Sequence, residues 1–329
     1  MRLKNPANSS IFFEKILWRK VSLKKNRIIN KLINQEVGLY QLNGDSFNIE
    51  GFYKYKIKTK TFFIKVLKKS FSENEENSLK VMRWLKRKKF SVPKHFNSFE
   101  DKVDMEFYIS IYEFLDGKFS NGTNDNLSRL GSCTAKLHNL LKVIPFSETI
   151  KKKTKHSILE LSEKWETLQK KNHSVARKIK SIVPDISKFD FVKELTRDAQ
   201  VIHGDLNYGN ILFVKKKIYF LDFEDTFFSY FSPLVDISFL IQRFILVREK
   251  NIIKKSELLL KNFYESGGIA FIDKDQLYRI LVSISIKSIM RLKTNNLERV
   301  VYNNELNKFL SLLKNSIKNK KFFQEVCSI

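Results

Sequence analysis

The chain has 329 residues, 43% of them hydrophobic, with only ten Gly and five Pro, so it can bury a core in one large domain or two lobes and is neither low-complexity nor collagen-like. Its 61 Lys and Arg against 35 Asp and Glu give a formal +26. That excess fits an anionic partner such as a nucleotide, a phosphorylated substrate, a membrane surface or nucleic acid, and equally a solvated surface drawn from A/T-rich codons.

Residues 9–34 read as a basic helix, because Ile11, Phe12, Ile16 and Leu17, then Ile28, Ile29, Leu32 and Ile33, recur at helical spacing. Such a helix either packs on the domain or lies on an anionic membrane surface. The apolar run at the start is short and broken by Glu14 and Lys15, so no signal peptide is expected. Residues 36–68 read as β-hairpins, with Asn43-Gly44 and Glu50-Gly51 as turn signals. Lys65 sits inside the apolar run FFIKVL. SENEENSLKVMRWLKR then reads as a helix capped by Ser72, acidic in its first turn and basic in its last, with Leu79, Met82 and Leu85 as its buried stripe. Met105–Gly117 reads as a further strand.

From about residue 126 the pattern turns helical, with Leu127, Leu130, Ala135, Leu137 and Leu141 near one face. Residues 150–200 are helical and charged, and later helices are expected at 234–249, 254–266, 275–293 and 304–317. The apolar run Ile280–Met290 is interrupted by Lys287 and is too short to span a bilayer. Cys133 and Cys327 form no CxxC pair or Cys/His cluster, which speaks against a disulfide framework or zinc site and for a reducing cytoplasm. β-rich first and α-rich second makes an α+β chain in two lobes.

One stretch carries chemistry. VIHGDLNYGNILF, Val201–Phe213, is followed by LDFED, Leu221–Asp225. An apolar strand ends in His203, Gly204 and Asp205, which places a carboxylate in a loop where it can take a proton from a hydroxyl. Ile211–Phe213 and Ile218–Leu221 read as a hairpin turned by Lys215–Lys217, with Asn210 before it and Asp222 after it. An Asn and an Asp without His or Cys suit Mg²⁺, which prefers oxygen ligands and shares them with phosphates. A base and two hard-cation ligands are the parts of a phosphoryl-transfer site.

HGDLNYGN followed by LDFED resembles the catalytic and metal-binding loops of the aminoglycoside phosphotransferase and choline kinase superfamily, relatives of the protein kinases. VDIS at 235–238, AKLH at 135–138, YEFLDG at 112–117 and LLKNFYESGG at 259–268 are similar to further family segments. The resemblance implies a two-lobed protein-kinase-like fold: a basic helical extension at 1–35, a small β-rich nucleotide-binding N-lobe at 36–115 and a mostly helical C-lobe at 116–329. It implies ATP and Mg²⁺ as cofactors, Asp205 as catalytic base, Asn210 and Asp222 as metal ligands, and His203 and Asp236 as loop supports. Lys65 would meet the ATP α/β-phosphates, and the backbone near Glu113 and Leu115 would receive adenine. The helix Glu that usually pairs with the Lys falls near Ser78 by counting back from Trp84, and a one-turn shift would let Glu76 serve, with Glu75 beside it. NGDSFNIEG lacks a GxGxxG pattern and no APE-like segment follows LDFED, which speaks against a protein substrate.

The acceptor is read less sharply. FEDTFFSYFSP places aromatic residues just after Asp222, where they would stack on a sugar, enclose an amine or simply pack. Glu224, Asp225 and Tyr230 are the substrate-side candidates. The net charge opposes a polycationic aminoglycoside and favours an anionic sugar, including a surface-glycan or lipid-linked one, while choline- or ethanolamine-type kinases stay open. A catalytically weak nucleotide-binding relative acting through partners is the alternative class. Nucleic acid is disfavoured because the lysines are spread along the chain. The expected location is the cytoplasm, with peripheral contact to the inner membrane face through the basic N-terminal helix.

Overall fold

The computed structural model describes residues 18–42, 49–100, 106–119, 122–170, 173–186, 189–246, 251–269, 275–292 and 299–326. The Asn43-Gly44 turn, the apolar residues Ile11 to Leu17 and Cys327 lie outside them. The chain forms two compact units. Of the described residues, the first holds 18–119 and 212–224, and the second the rest.

The first unit is built on a six-stranded antiparallel sheet in the order β1 (Trp18–Lys20), β2 (Leu39–Leu42), β3 (Gly51–Ile57), β4 (Lys60–Lys68), β6 (Phe107–Glu113), β5 (His95–Glu100). β4 lies centrally, so Lys65 is flanked by Phe52 on β3 and Ser110 on β6. The expected helix over 9–34 is corrected in its described part. Trp18–Lys20 form β1, paired with Leu42–Tyr40, and only Leu23–Ile33 (α1) are helical. Trp18 packs edge-on to Phe63 and Phe114, which rewards the extended conformation. Val21, Ile29 and Ile33 are buried in one core with Leu39, Tyr53, Ile64 and Ile109. The apolar face of α1 is therefore spent on this core rather than on a lipid surface.

Helix α2 spans Ser72–Arg87 and buries Leu79, Met82 and Leu85. Ser72 is already helical there and does not cap it, because a 3₁₀ turn over Lys69–Phe71 leads into the helix. A second, three-stranded sheet runs β10 (Lys217–Phe220), β9 (Ile211–Val214), β7 (Lys118–Phe119). Its β9–β10 turn passes through Lys215 in the left-handed region at φ 51°.

The second unit is mostly helical: α3 (Asn124–Lys142), α4 (Ser147–Lys170), α5 (Ser174–Ile182), α6 (Phe191–Thr196), α7 (Pro233–Leu240), α8 (Ile252–Glu265), α9 (Gln276–Leu292), α10 (Arg299–Lys318) and α11 (Lys320–Val326). Within its described part, up to Leu246, the helix expected over 234–249 is α-helical to Leu240 and continues as a π-turn over Ile241–Ile245. A two-stranded ladder, β8 (Gln200–Val201) with β11 (Tyr230–Phe231), ties the ends of the motif region together. No helix among the described residues is long and apolar enough to cross a membrane.

Candidate active site

In the first unit Lys65 is the organising group. Its side chain is buried, and Nζ donates to Glu75 Oε2 at 2.8 Å, to Asp222 Oδ1 at 3.2 Å and to Glu224 Oε1. Burial alone would favour the neutral amine, but Asp222, Glu75 and Glu224 together hold the ammonium well above the ordinary lysine value. Glu75 is fully buried. Burial pushes its carboxyl up, yet Lys65 and hydrogen bonds from Lys65, Tyr112 and Ser110 bring it below the ordinary range. Glu224 goes the other way. Burial and the neighbouring charge of Asp222 raise it, against the pull of Lys65.

Of the two neighbours left open by the sequence, the helix partner of Lys65 is thus Glu75 and not Glu76. Glu76 instead accepts from the Tyr108 hydroxyl. Adjacent helical residues point about 100° apart, so packing of α2 selects one of the two. Ser78, at the position reached by counting back, supports the motif in another way. Its Oγ accepts the Phe223 main-chain N–H at 3.1 Å and holds the LDFED backbone. Asp222 itself takes φ 60°, an uncommon conformation for a residue with a side chain. Glu113 uses its N–H on the Lys94 carbonyl at 2.8 Å, and its carboxylate accepts the Lys94 N–H at 2.7 Å. Leu115 follows, half-buried.

In the second unit Asp205 follows β8. The loop that carries it is pinned from beneath by Asp236, fully buried on α7. Asp236 accepts the N–H groups of His203 and Gly204, each at 2.9 Å, and lies 2.9 Å from His138 Nε2. Thr226 Oγ1 donates to the His203 carbonyl at 3.0 Å. Gly204 has φ +86°, and a Cβ there would stand 2.0 Å from Ser229 Oγ, so the turn requires glycine on both counts. Asn207 Nδ2 donates to Asp205 Oδ2 at 2.7 Å. Asn210 Nδ2 donates to the Asp205 carbonyl at 2.9 Å and to Oδ2 at 3.3 Å. With its amide nitrogen so engaged, Asn210 presents its oxygen as the acceptor available to a cation. Asn207 and His138 were not singled out as site residues by the sequence, whereas Glu75 stood beside Glu76 as a candidate partner of Lys65. Asn207 had a signal, since it lies inside HGDLNYGN, and His138 lies inside AKLH.

The sequence model of the phosphotransferase enzyme family matches residues 50–248, more than half of the chain. The chain belongs to this family. It is an ATP-dependent small-molecule kinase that phosphorylates a hydroxyl acceptor. Solved structures share the kinase-like fold. A microcompartment-associated aminopropanol kinase is 14% identical, with a TM-score of 0.62 over 90% of this chain and 96% of its own. Spectinomycin phosphotransferase in complex with ADP and spectinomycin is 16% identical, with a TM-score of 0.56 over 95% and 100%. The GDP complex of aminoglycoside 2′-phosphotransferase-IIIa is also 16% identical, with a TM-score of 0.56 over 85% and 92%. At such identities the likeness speaks for the fold alone. No curated protein sequence matches the chain.

Proposed function

We propose that this kinase transfers the γ-phosphoryl group of ATP, with Mg²⁺, to a hydroxyl of a sugar or related small molecule, a surface-glycan or lipid-linked sugar being the acceptor class favoured by its charge. One observation carries the reading: the Asp205 carboxylate, in a loop anchored by buried Asp236, is oriented by the Asn207 and Asn210 amides. A carboxylate so fixed accepts the acceptor's hydroxyl proton without reorganising at the moment of transfer. The amide oxygen of Asn210 and the carboxylate of Asp222 are hard donors of the kind Mg²⁺ takes beside phosphate oxygens, so the residues fit the ion. When bound, the ion neutralises charge on the transferred group.

Lys65, kept charged by Glu75, is the residue proposed for the α/β-phosphates, and the backbone around Glu113 and Leu115 for adenine. On this reading the β-rich unit holds the nucleotide and the helical unit supplies the base. ADP and GDP in the related structures support nucleotide use. The alternative of a catalytically weak relative was motivated by an uncertain helix glutamate, and the Glu75–Lys65 pair at 2.8 Å supports the active reading.

Thermal unfolding with and without ATP plus Mg²⁺, on wild type and Asp222→Asn, tests the proposal. A ligand at about 100 times its Kd adds roughly 2.7 kcal/mol, and the Mg²⁺-dependent gain is expected in wild type alone. Equal gains in both proteins would remove Asp222 from the metal site. No gain in either would end the kinase reading.

A further inference from the structure

The segment Asp225–Phe231 follows the second acidic motif and carries Phe227, Phe228, Tyr230 and Phe231 with a single carboxylate, Asp225. By sequence these rings are open to a sugar or an amine. In the folded unit the chain's own cations already face them. Lys153 Nζ on α4 stands 5.8 Å from the Phe227 ring centre and 5.6 Å from that of Phe228. Lys151 stands 5.5 Å from Tyr230. Lys287 on α9, only 7% exposed, lies 4.1 Å from Phe231. Asp225 is ion-paired at 3.5 Å with Arg291, one turn beyond Lys287. Phe227 also stacks on Phe146 and is buried, as is Phe231.

These contacts bear on what the segment can receive. A cationic acceptor gains by resting on an aromatic face or pairing with a carboxylate. Here it would have to displace a lysine from each ring and an arginine from Asp225, while four side-chain cations repel it. An oxyanion meets the opposite field. Lys and Arg donate charge-assisted hydrogen bonds to phosphate and carboxylate oxygens, and Arg does so with a planar fork. Lys153 and Arg291 are part-exposed, and Arg291, already paired with Asp225, would serve an anion by sharing its planar fork, whereas buried Lys287 contributes through its field.

Resting on the kinase reading above, we propose that the acceptor alcohol carries an anionic group, phosphate or carboxylate, and that Lys153 and Arg291 bind that group. The positive charge that opposes an aminoglycoside is then local as well as global.

Titration calorimetry on the full chain with MgADP present would compare glucose 6-phosphate, glucuronate, glucose and the polycation kanamycin. At least one anionic probe is expected to bind ten-fold or more tightly than glucose, and kanamycin more weakly. The stronger of the two anions identifies the oxyanion as phosphate or carboxylate. Lys153→Gln and Arg291→Gln should each cost that probe at least five-fold in affinity while glucose binding stays within two-fold, with unfolding midpoints as the control for folding. Glucose or kanamycin binding as well as both anions, absence of any anion preference, or variants that retain the preference would overturn the proposal. MgATP stabilisation, measured separately, reads the kinase assignment: its loss overturns both readings, whereas its presence without anion preference overturns only this one.

Discussion

Lys65 and Glu75 form a buried ion pair, and such pairs matter most when one partner is lost. Removing Glu75 leaves an ammonium at 6% exposure with one fewer counter-charge. Because Asp222 and Glu224 still face the ammonium, Glu75→Ala should cost on the order of 1.5–3 kcal/mol, read from the urea midpoint. The pH dependence has a definite sign. Glu75 is held below its ordinary value by Lys65 and its hydrogen-bond donors despite its burial. Its contribution is therefore present above the unfolded value, about pH 4.3, and is lost as pH falls through the lower folded value. Urea midpoints between about pH 3 and 6 should fall more steeply for wild type than for Glu75→Gln, and parallel curves would sink this account. Asp205 is the other decisive residue. Asp205→Asn should lower kcat by roughly 10²–10⁴ with little change in unfolding midpoint, and turnover within a few-fold of wild type would exclude it as the base.

At the scale of elements, the contact between α3 and α8 shows how closely backbones approach in the second unit. A Cβ on Gly131 would stand 2.3 Å from the Leu259 carbonyl oxygen and 3.0 Å from the Phe263 nitrogen. Backbone cannot swing aside as a flexible side chain can, so Gly131→Ala should destabilise by about 1–3 kcal/mol despite its better helix propensity, seen as a lower thermal midpoint. Elements were legible where the pattern was long and local. α2, α3 and the β9–β10 hairpin follow from periodicity and turn chemistry. β1 was not legible, because three residues are a strand only through their pairing with β2. The π-turn after α7 escaped for a related reason: Phe239–Ile245 is buried throughout and has no polar face to set a period.

For the molecule as a whole, a formal +26 steers anions in and polycations away over a Debye length, about 10 Å at 0.1 M salt. For an anionic acceptor, kcat/KM should fall several-fold between about 50 and 300 mM salt, whereas a neutral acceptor should show little change. Steady-state kinetics at two salt concentrations check this, and equal salt dependence for both acceptors would argue that the charge serves only solubility.

The sequence by itself determined the reaction class and the order of β-rich before α-rich parts. HGDLNYGN and LDFED are short, and their spacing is local, so residue types at fixed intervals already specify a base and hard-cation ligands. Tertiary structure decided which groups support them. Glu75 rather than Glu76 meets Lys65, Ser78 holds the Phe223 backbone, and Asp236, already expected as a loop support, acts by accepting the His203 and Gly204 N–H groups. It also turned the aromatic residues after Asp225 from an open cage into rings faced by the chain's own lysines. Each of these depends on which face of a helix or strand is buried and on contacts between residues distant in the chain. A one-residue change of face, invisible in composition and spacing, exchanges one partner for another.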